Sequence, residues 1–168
     1  GADSMEEYTR QLNKLVAAIS TIDADVVGLM ELENNASASL QALTDAVNAE
    51  VGAGTYAYID TGTIGGDAIK QGFIYKPASV TPQGDFALLT SAVDARFNDS
   101  LNRPSLAQSF RATSNLALFT PIVNHLKSKS CGGAAGADAD QGDGQGCWNA
   151  ARTSAAEALR DWANSDPT

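Results

Sequence analysis

The chain reads as α/β: a mixed, mostly antiparallel sheet with flanking helices, in one globular domain over residues 1–168. Three observations predict this. Two segments with apolar residues at helical spacing flank one unbroken apolar strand. The chain then breaks into short runs punctuated by Gly, Pro, Asn and Ser, and a third helical stripe closes it. With 168 residues, 43% hydrophobic and 18% charged, there is enough apolar material for a real core, which excludes a disordered tail.

The first helix is expected from Ser4, because Ser4-Met5-Glu6-Glu7 has the form of a capping box and Tyr8, Leu12, Leu15, Val16 and Ile19 make an apolar stripe. It should end near Thr21. Asp23-Ala24-Asp25 then turns the chain into a strand, Val26 to Glu31, whose unbroken apolar character predicts burial on both faces. A second helix follows from about Ser39, with Leu40, Leu43, Val47 and Val51 inward and Gly52 as its left-handed stop. The later runs, Tyr56 to Asp60, Gly72 to Lys76, Gln83 to Leu89, Ser105 to Arg111 and Leu116 to Asn124, read as strands. Ala112-Thr113-Ser114-Asn115 joins the last two as a hairpin turn. Pro121 lacks a backbone donor, so its strand lies at an edge there or carries a bulge. The last helix runs from about Trp148 to Asn164, with Trp148, Ala151, Ala155, Leu159 and Trp162 on one face. Only the segment from Ser130 to Gly146 is of low complexity.

The formal net charge of -9 argues against holding a polyanion by bulk electrostatics, so nucleic-acid binding would need metal ions or a local basic patch. No run of 18 or more apolar residues is present, which predicts no membrane span. The amino terminus lacks the basic-then-apolar pattern of an export signal, which would have to lie upstream. Cys131 and Cys147 bracket a loop of Gly, Ala, Asp and Gln that could not order itself by burial. A disulfide there would restrict it, by roughly 3 kcal/mol in the chain-entropy model for about 15 residues, and would imply an oxidising compartment. Two unpaired thiols are the other reading.

Two runs carry chemistry. Asp25-Val26-Val27-Gly28-Leu29-Met30-Glu31 ends in a carboxylate, and Val123-Asn124-His125-Leu126-Lys127-Ser128 contains the chain's only histidine. A strand holds such a group rigidly at its carboxyl end, where sites on α/β sheets form. Taken alone, Glu31 is as readily a strand-capping or ion-paired carboxylate as a metal ligand, and a lone histidine at a strand end is more often structural. Together the runs resemble the endonuclease/exonuclease/phosphatase superfamily, and within it the secreted bacterial extracellular nucleases. Met30 stands where glutamine is usual, but Met-Glu followed by Leu-Glu-Asn-Asn is similar to that branch.

The resemblance implies a partial four-layer α/β/β/α sandwich of the DNase I-like kind. It implies Glu31 as ligand of a catalytic divalent cation, Mg²⁺ or else Mn²⁺ or Ca²⁺; a hard cation takes oxygen ligands, with one or two carboxylates plus water as a typical protein share. It makes His125 the group beside the scissile phosphate, where an imidazole suits proton transfer near neutral pH. Asn124 then either donates to a phosphate oxygen or holds a loop. Arg103-Pro104 resembles the family's arginine-proline segment, which sets a guanidinium fork near the substrate backbone. Gly65-Gly66-Asp67-Ala68-Ile69-Lys70, leading into Phe73-Ile74-Tyr75-Lys76-Pro77, also looks like this branch, with Asp67 and Lys70 facing the cleft.

Two motifs are declined. Asp138-Ala139-Asp140-Gln141-Gly142-Asp143-Gly144 is no EF-hand, because its third acid falls one place late and no closing glutamate follows. Gly62 to Gly66 lacks the lysine and helix of a P-loop.

The superfamily's opening asparagine strand, its Gly-Asp-x-Asn segment and its late Asp-His pair do not occur. The resemblance therefore implies about the first half of a catalytic domain, inactive alone, within a secreted parent that hydrolyses phosphodiesters in extracellular DNA or RNA. A phospholipid or inositol phosphate is an alternative substrate, since the fold does not fix it. A non-catalytic secreted binding module is the other class, with the open sheet face driving homodimerisation.

Overall fold

The structure, a computed structural model, describes residues 2–168. Helix α1 (Met5–Ile22) starts where the sequence places it, with Ser4 Oγ accepting from the Glu7 N–H at 3.1 Å. The reciprocal arm of the box reaches one residue further back, to the Asp3 N–H. Strand β1 (Val26–Glu33) and helix α2 (Ala38–Val51) follow. Next come β2 (Ala57–Tyr58), β3 (Ile69–Tyr75), β4 (Val80–Leu89), β5 (Arg103–Ala112), β6 (Leu118–Phe119), β7 (Ile122–His125) and helix α3 (Asn149–Ala163).

The strands form two antiparallel sheets. The first has the order β1-β3-β2; in the second, β5 pairs with β4 on one side and with β6 and then β7 on the other. Pro121 is the break between β6 and β7, and its carbonyl still accepts from Gln108 N–H. Three apolar clusters define the layers. Ile19, Leu40, Leu43, Val47 and Ile74 pack α1 and α2 on the outer face of the first sheet. Ile64, Phe73, Leu106, Phe110 and Val123 fill the space between the sheets, and Leu89, Phe97, Ala155, Ala158 and Trp162 pack α3 on the outer face of the second.

Two expectations need correction. The sequence reading left one sheet face open for a second copy of the chain, but the second sheet lies within this chain and covers it. Alternation explains why: Phe73 and Tyr75 on β3 and Leu106 and Phe110 on β5 give each sheet a second apolar face, and these faces bury one another. In addition, β1 is an edge strand paired with β3 alone, and none of its residues is fully buried. Its apolar run reflects contact with helices on one face and with the other sheet on the opposite face.

The inter-sheet gap closes tightly at one point. A Cβ on Gly28 of β1 would lie 2.6 Å from Val123 Cγ2 of β7, so only glycine lets the two strands approach this closely. Cys131 and Cys147 are disulfide-bonded, closing the low-complexity segment into a loop that precedes α3.

Arg96, between β4 and β5, reaches Asp94 at 2.7 Å and Asp161 of α3 at 2.8 Å, tying that connection to the outer helix. Its hydrogen bonds hold both carboxyls below the usual carboxylate range. A carboxylate whose pKa is depressed by folding contributes stability that is present above its unfolded value of about 3.9 and is lost as pH falls through the folded value. The expected result is that wild type loses its advantage over Arg96→Ala as pH drops from about 5 to 2, read from urea midpoints. A difference independent of pH would refute the coupling.

Candidate active site

A defect in β1 sets the position of Glu31. Leu29 opposes Gly72 and Leu32 opposes Lys70, so three steps on β1 match two on β3 and one residue is extra. At this bulge Glu31 adopts φ 59°, a left-handed conformation uncommon for a residue with a side chain. Leu29 and Leu32 both face the helices, which regular alternation over three residues would not allow. The bulge absorbs the mismatch and swings Glu31 to the other side, where its Oε1 lies 3.7 Å from His125 Nε2. The Glu31 side chain remains 71% exposed, open to ligands.

His125 is the last residue of β7. Val123, two residues earlier on the same face, packs in the inter-sheet core against Gly28, so the contact that brings β1 to β7 also sets the approach of Glu31 to His125. Opposite His125 in the ladder is Arg103, the first residue of β5. Its Nε lies 2.6 Å from Asp67 Oδ2, a close charge contact off the N–H direction rather than an aligned hydrogen bond. Gly66, Asp67, Asp99, Asn102, Arg103 and Lys127 line a polar cleft of about 510 Å³. Lys127 enters it because its N–H donates to Asn102 Oδ1 at 2.9 Å, while its ammonium sits 5.1 Å above the Trp148 ring.

The remaining site residues divide. Asp67 does reach the cleft, but its carboxylate is engaged with Arg103, and an anion there repels a phosphate; its geometry is that of a support for the guanidinium. Lys70 does not reach the cleft, which corrects the expectation. The alternation that sets Gly72 and Ile74 against the helices buries Lys70 to 1% exposure, and its ammonium donates to Thr61 Oγ1 and Gly62 O. Burial pushes its pKa below the ordinary lysine value. Asn124 points to the α3 side of β7, away from His125, with its Oδ1 buried and unpartnered and only a long bond to Ile122 O. Asn34, quoted above only within the Leu-Glu-Asn-Asn segment, and Asn102, which the sequence did not mark, anchor the loop before β3 and the segment after His125.

Among the described residues no group of three or more His, Cys, Asp or Glu side chains converges to hold a metal. Glu31 offers one exposed carboxylate, and that donor chemistry fits a hard cation shared with water and substrate oxygens, not a closed protein cage.

No protein-family model and no curated protein matches the chain. Among solved structures, it is similar to a humanized D. rerio TDP2 bearing 14 mutations, at a TM-score of 0.56 and 13% identity over 95% of this chain. The fold is DNase I-like. This DNase I-like chain covers 54% of that TDP2 chain, about half its length. Two structures of ANGEL2, a 2′,3′-cyclic phosphatase, one of them with adenosine-2′,3′-vanadate, also align at a TM-score of 0.45 and 15% identity. They cover 68% of this chain and 31% and 30% of their own.

Proposed function

We propose that this chain is the Glu31- and His125-bearing part of a metal-dependent phosphodiesterase that cleaves extracellular nucleic acid, DNA or RNA. The observation that carries the reading is the Glu31–His125 pair at 3.7 Å, set by a bulge in one sheet and a strand end in the other, next to a cleft holding Arg103 and Lys127. The DNase I-like fold supports this reading without fixing a substrate.

In this reading Glu31 holds Mg²⁺, or Mn²⁺ or Ca²⁺, which supplies charge neutralisation at the phosphoryl oxygens. Arg103, held at Nε by Asp67, presents its terminal nitrogens to a phosphate in the planar geometry that suits two oxygens. His125 hydrogen-bonds the phosphate and moves a proton at Nε2. Lys127 and Arg103 supply local positive charge in a chain whose net charge is -9. The Cys131–Cys147 disulfide supports an oxidising, extracellular setting. No helix among the described residues is long and apolar enough to cross a membrane.

The test is cleavage of supercoiled plasmid and of single-stranded RNA with Mg²⁺, Mn²⁺ or Ca²⁺, by this chain and by a longer polypeptide with flanking sequence at both ends. Expected is divalent-dependent cleavage by the longer polypeptide, abolished by chelator, with this chain silent. Turnover of an inositol phosphate or phospholipid instead would keep the site and change the substrate. No turnover of any phosphoester would sink the reading.

A further inference from the structure

Around the site runs a closed circuit of contacts, and one member has no assigned role. Asn34 follows directly after β1, three residues past Glu31. Its Nδ2 donates to Ile64 O at 2.8 Å and to Asp67 O at 2.9 Å, and its Oδ1 accepts from Ile64 N–H at 3.0 Å. Its own N–H donates to Ala68 O at 2.8 Å. Both side-chain donors and the side-chain acceptor are thus spent on a single loop, 64–68. That loop needs an anchor, because it contains Gly65 and Gly66, and Gly65 sits at φ 63°. On its far side it lies against the Arg103-Pro104 segment, with the Gly65 Cβ position 3.1 Å from Pro104 Cγ. Asp67, within the loop, meets Arg103 Nε.

We propose that Asn34 is a positioning residue for the phosphate-binding guanidinium: it pins the 64–68 loop so that Asp67 fixes Arg103 with its terminal nitrogens toward the cleft. The geometry is specific to an asparagine. Aspartate keeps the acceptor for Ile64 N–H but loses both donors and adds a negative charge near Asp67; alanine loses all three bonds. One strand, β1, thereby sets both the carboxylate at Glu31 and, through Asn34, the orientation of Arg103. The kinetic part of this inference rests on the phosphodiesterase reading; the positional part does not.

The experiment follows the Arg103 Nε–H resonance in this chain by NMR and cleavage kinetics in the longer polypeptide, for Asn34→Ala, Asn34→Asp, Asp67→Ala and Arg103→Ala. Expected is one sharp resonance in wild type, where Nε is buried against Asp67 Oδ2, and a shifted or broadened one in both Asn34 variants, as in Asp67→Ala. In cleavage, KM rises roughly tenfold with kcat within about twofold, and Asn34→Ala adds nothing on an Arg103→Ala background. Asn34→Asp serves if the alanine variant fails to fold. An unchanged Arg103 resonance, or Asn34 and Arg103 effects that multiply, would overturn the proposal. If the wild type cleaves no phosphoester, the functional reading fails, and the Arg103 resonance alone decides the positioning role.

Discussion

His125→Ala is expected to lower divalent-dependent cleavage by the longer polypeptide by about 10²–10⁴-fold, the usual range for removing a positioned proton-transfer group. If Arg103 and the cleft bind substrate as proposed, the loss should fall on kcat. Stability should change little: the imidazole is 23% exposed, and the apolar packing of β7 rests on Val123. Activity within tenfold of wild type, with the fold intact by circular dichroism, would remove His125 from the chemistry.

Gly28→Ala should destabilise the fold although it adds only one methyl. In an ordinary strand, glycine to alanine is favourable, because glycine loses more backbone freedom on folding. Here the new methyl would sit 2.6 Å from Val123 Cγ2, and a β-branched side chain has no cheap alternative rotamer. Overpacking of this kind costs about 1–3 kcal/mol. Val123→Ala on the same background removes the clash, so the double variant should be less destabilised than the two single changes summed. Urea unfolding of the four proteins measures the coupling. A Gly28→Ala protein as stable as wild type would mean that the sheets separate freely at this point. The same separation would carry Glu31 away from His125, so cleavage should fall by more than the loss of folded protein explains.

Much of this molecule was legible because it is local. Ser4 and the Tyr8-to-Ile19 stripe specify α1 within a few residues, and Gly52 ends α2 at a positive φ of 119°. Pro121 marked the break in the last strand run, and the glycine-rich loop between two cysteines marked the disulfide. The place of His125 at the end of β7 was legible because a strand end is visible as the point where an apolar run stops.

What was missed depends on contacts distant in sequence. Alternation shows that β3 and β5 have two apolar faces but not that these face each other, so the second sheet was overlooked. The bulge at Met30-Glu31 carries no glycine to announce it. Lys70 was placed at the cleft, because nothing near it in sequence reveals that Thr61 and Gly62 will receive its ammonium. Nothing in the sequence pairs Asp67 with Arg103, 36 residues apart, although their opposite charges bring them together in the fold.

The left-handed backbone at Glu31 has a consequence for stability. A side chain at φ 59° costs on the order of 1–2 kcal/mol relative to glycine's freedom there, partly offset by glycine's greater disorder when unfolded. Glu31→Gly should therefore unfold at an equal or higher urea concentration than wild type while losing its response to divalent cations. If Glu31 holds the cation as proposed, stability and reactivity pull this position in opposite directions.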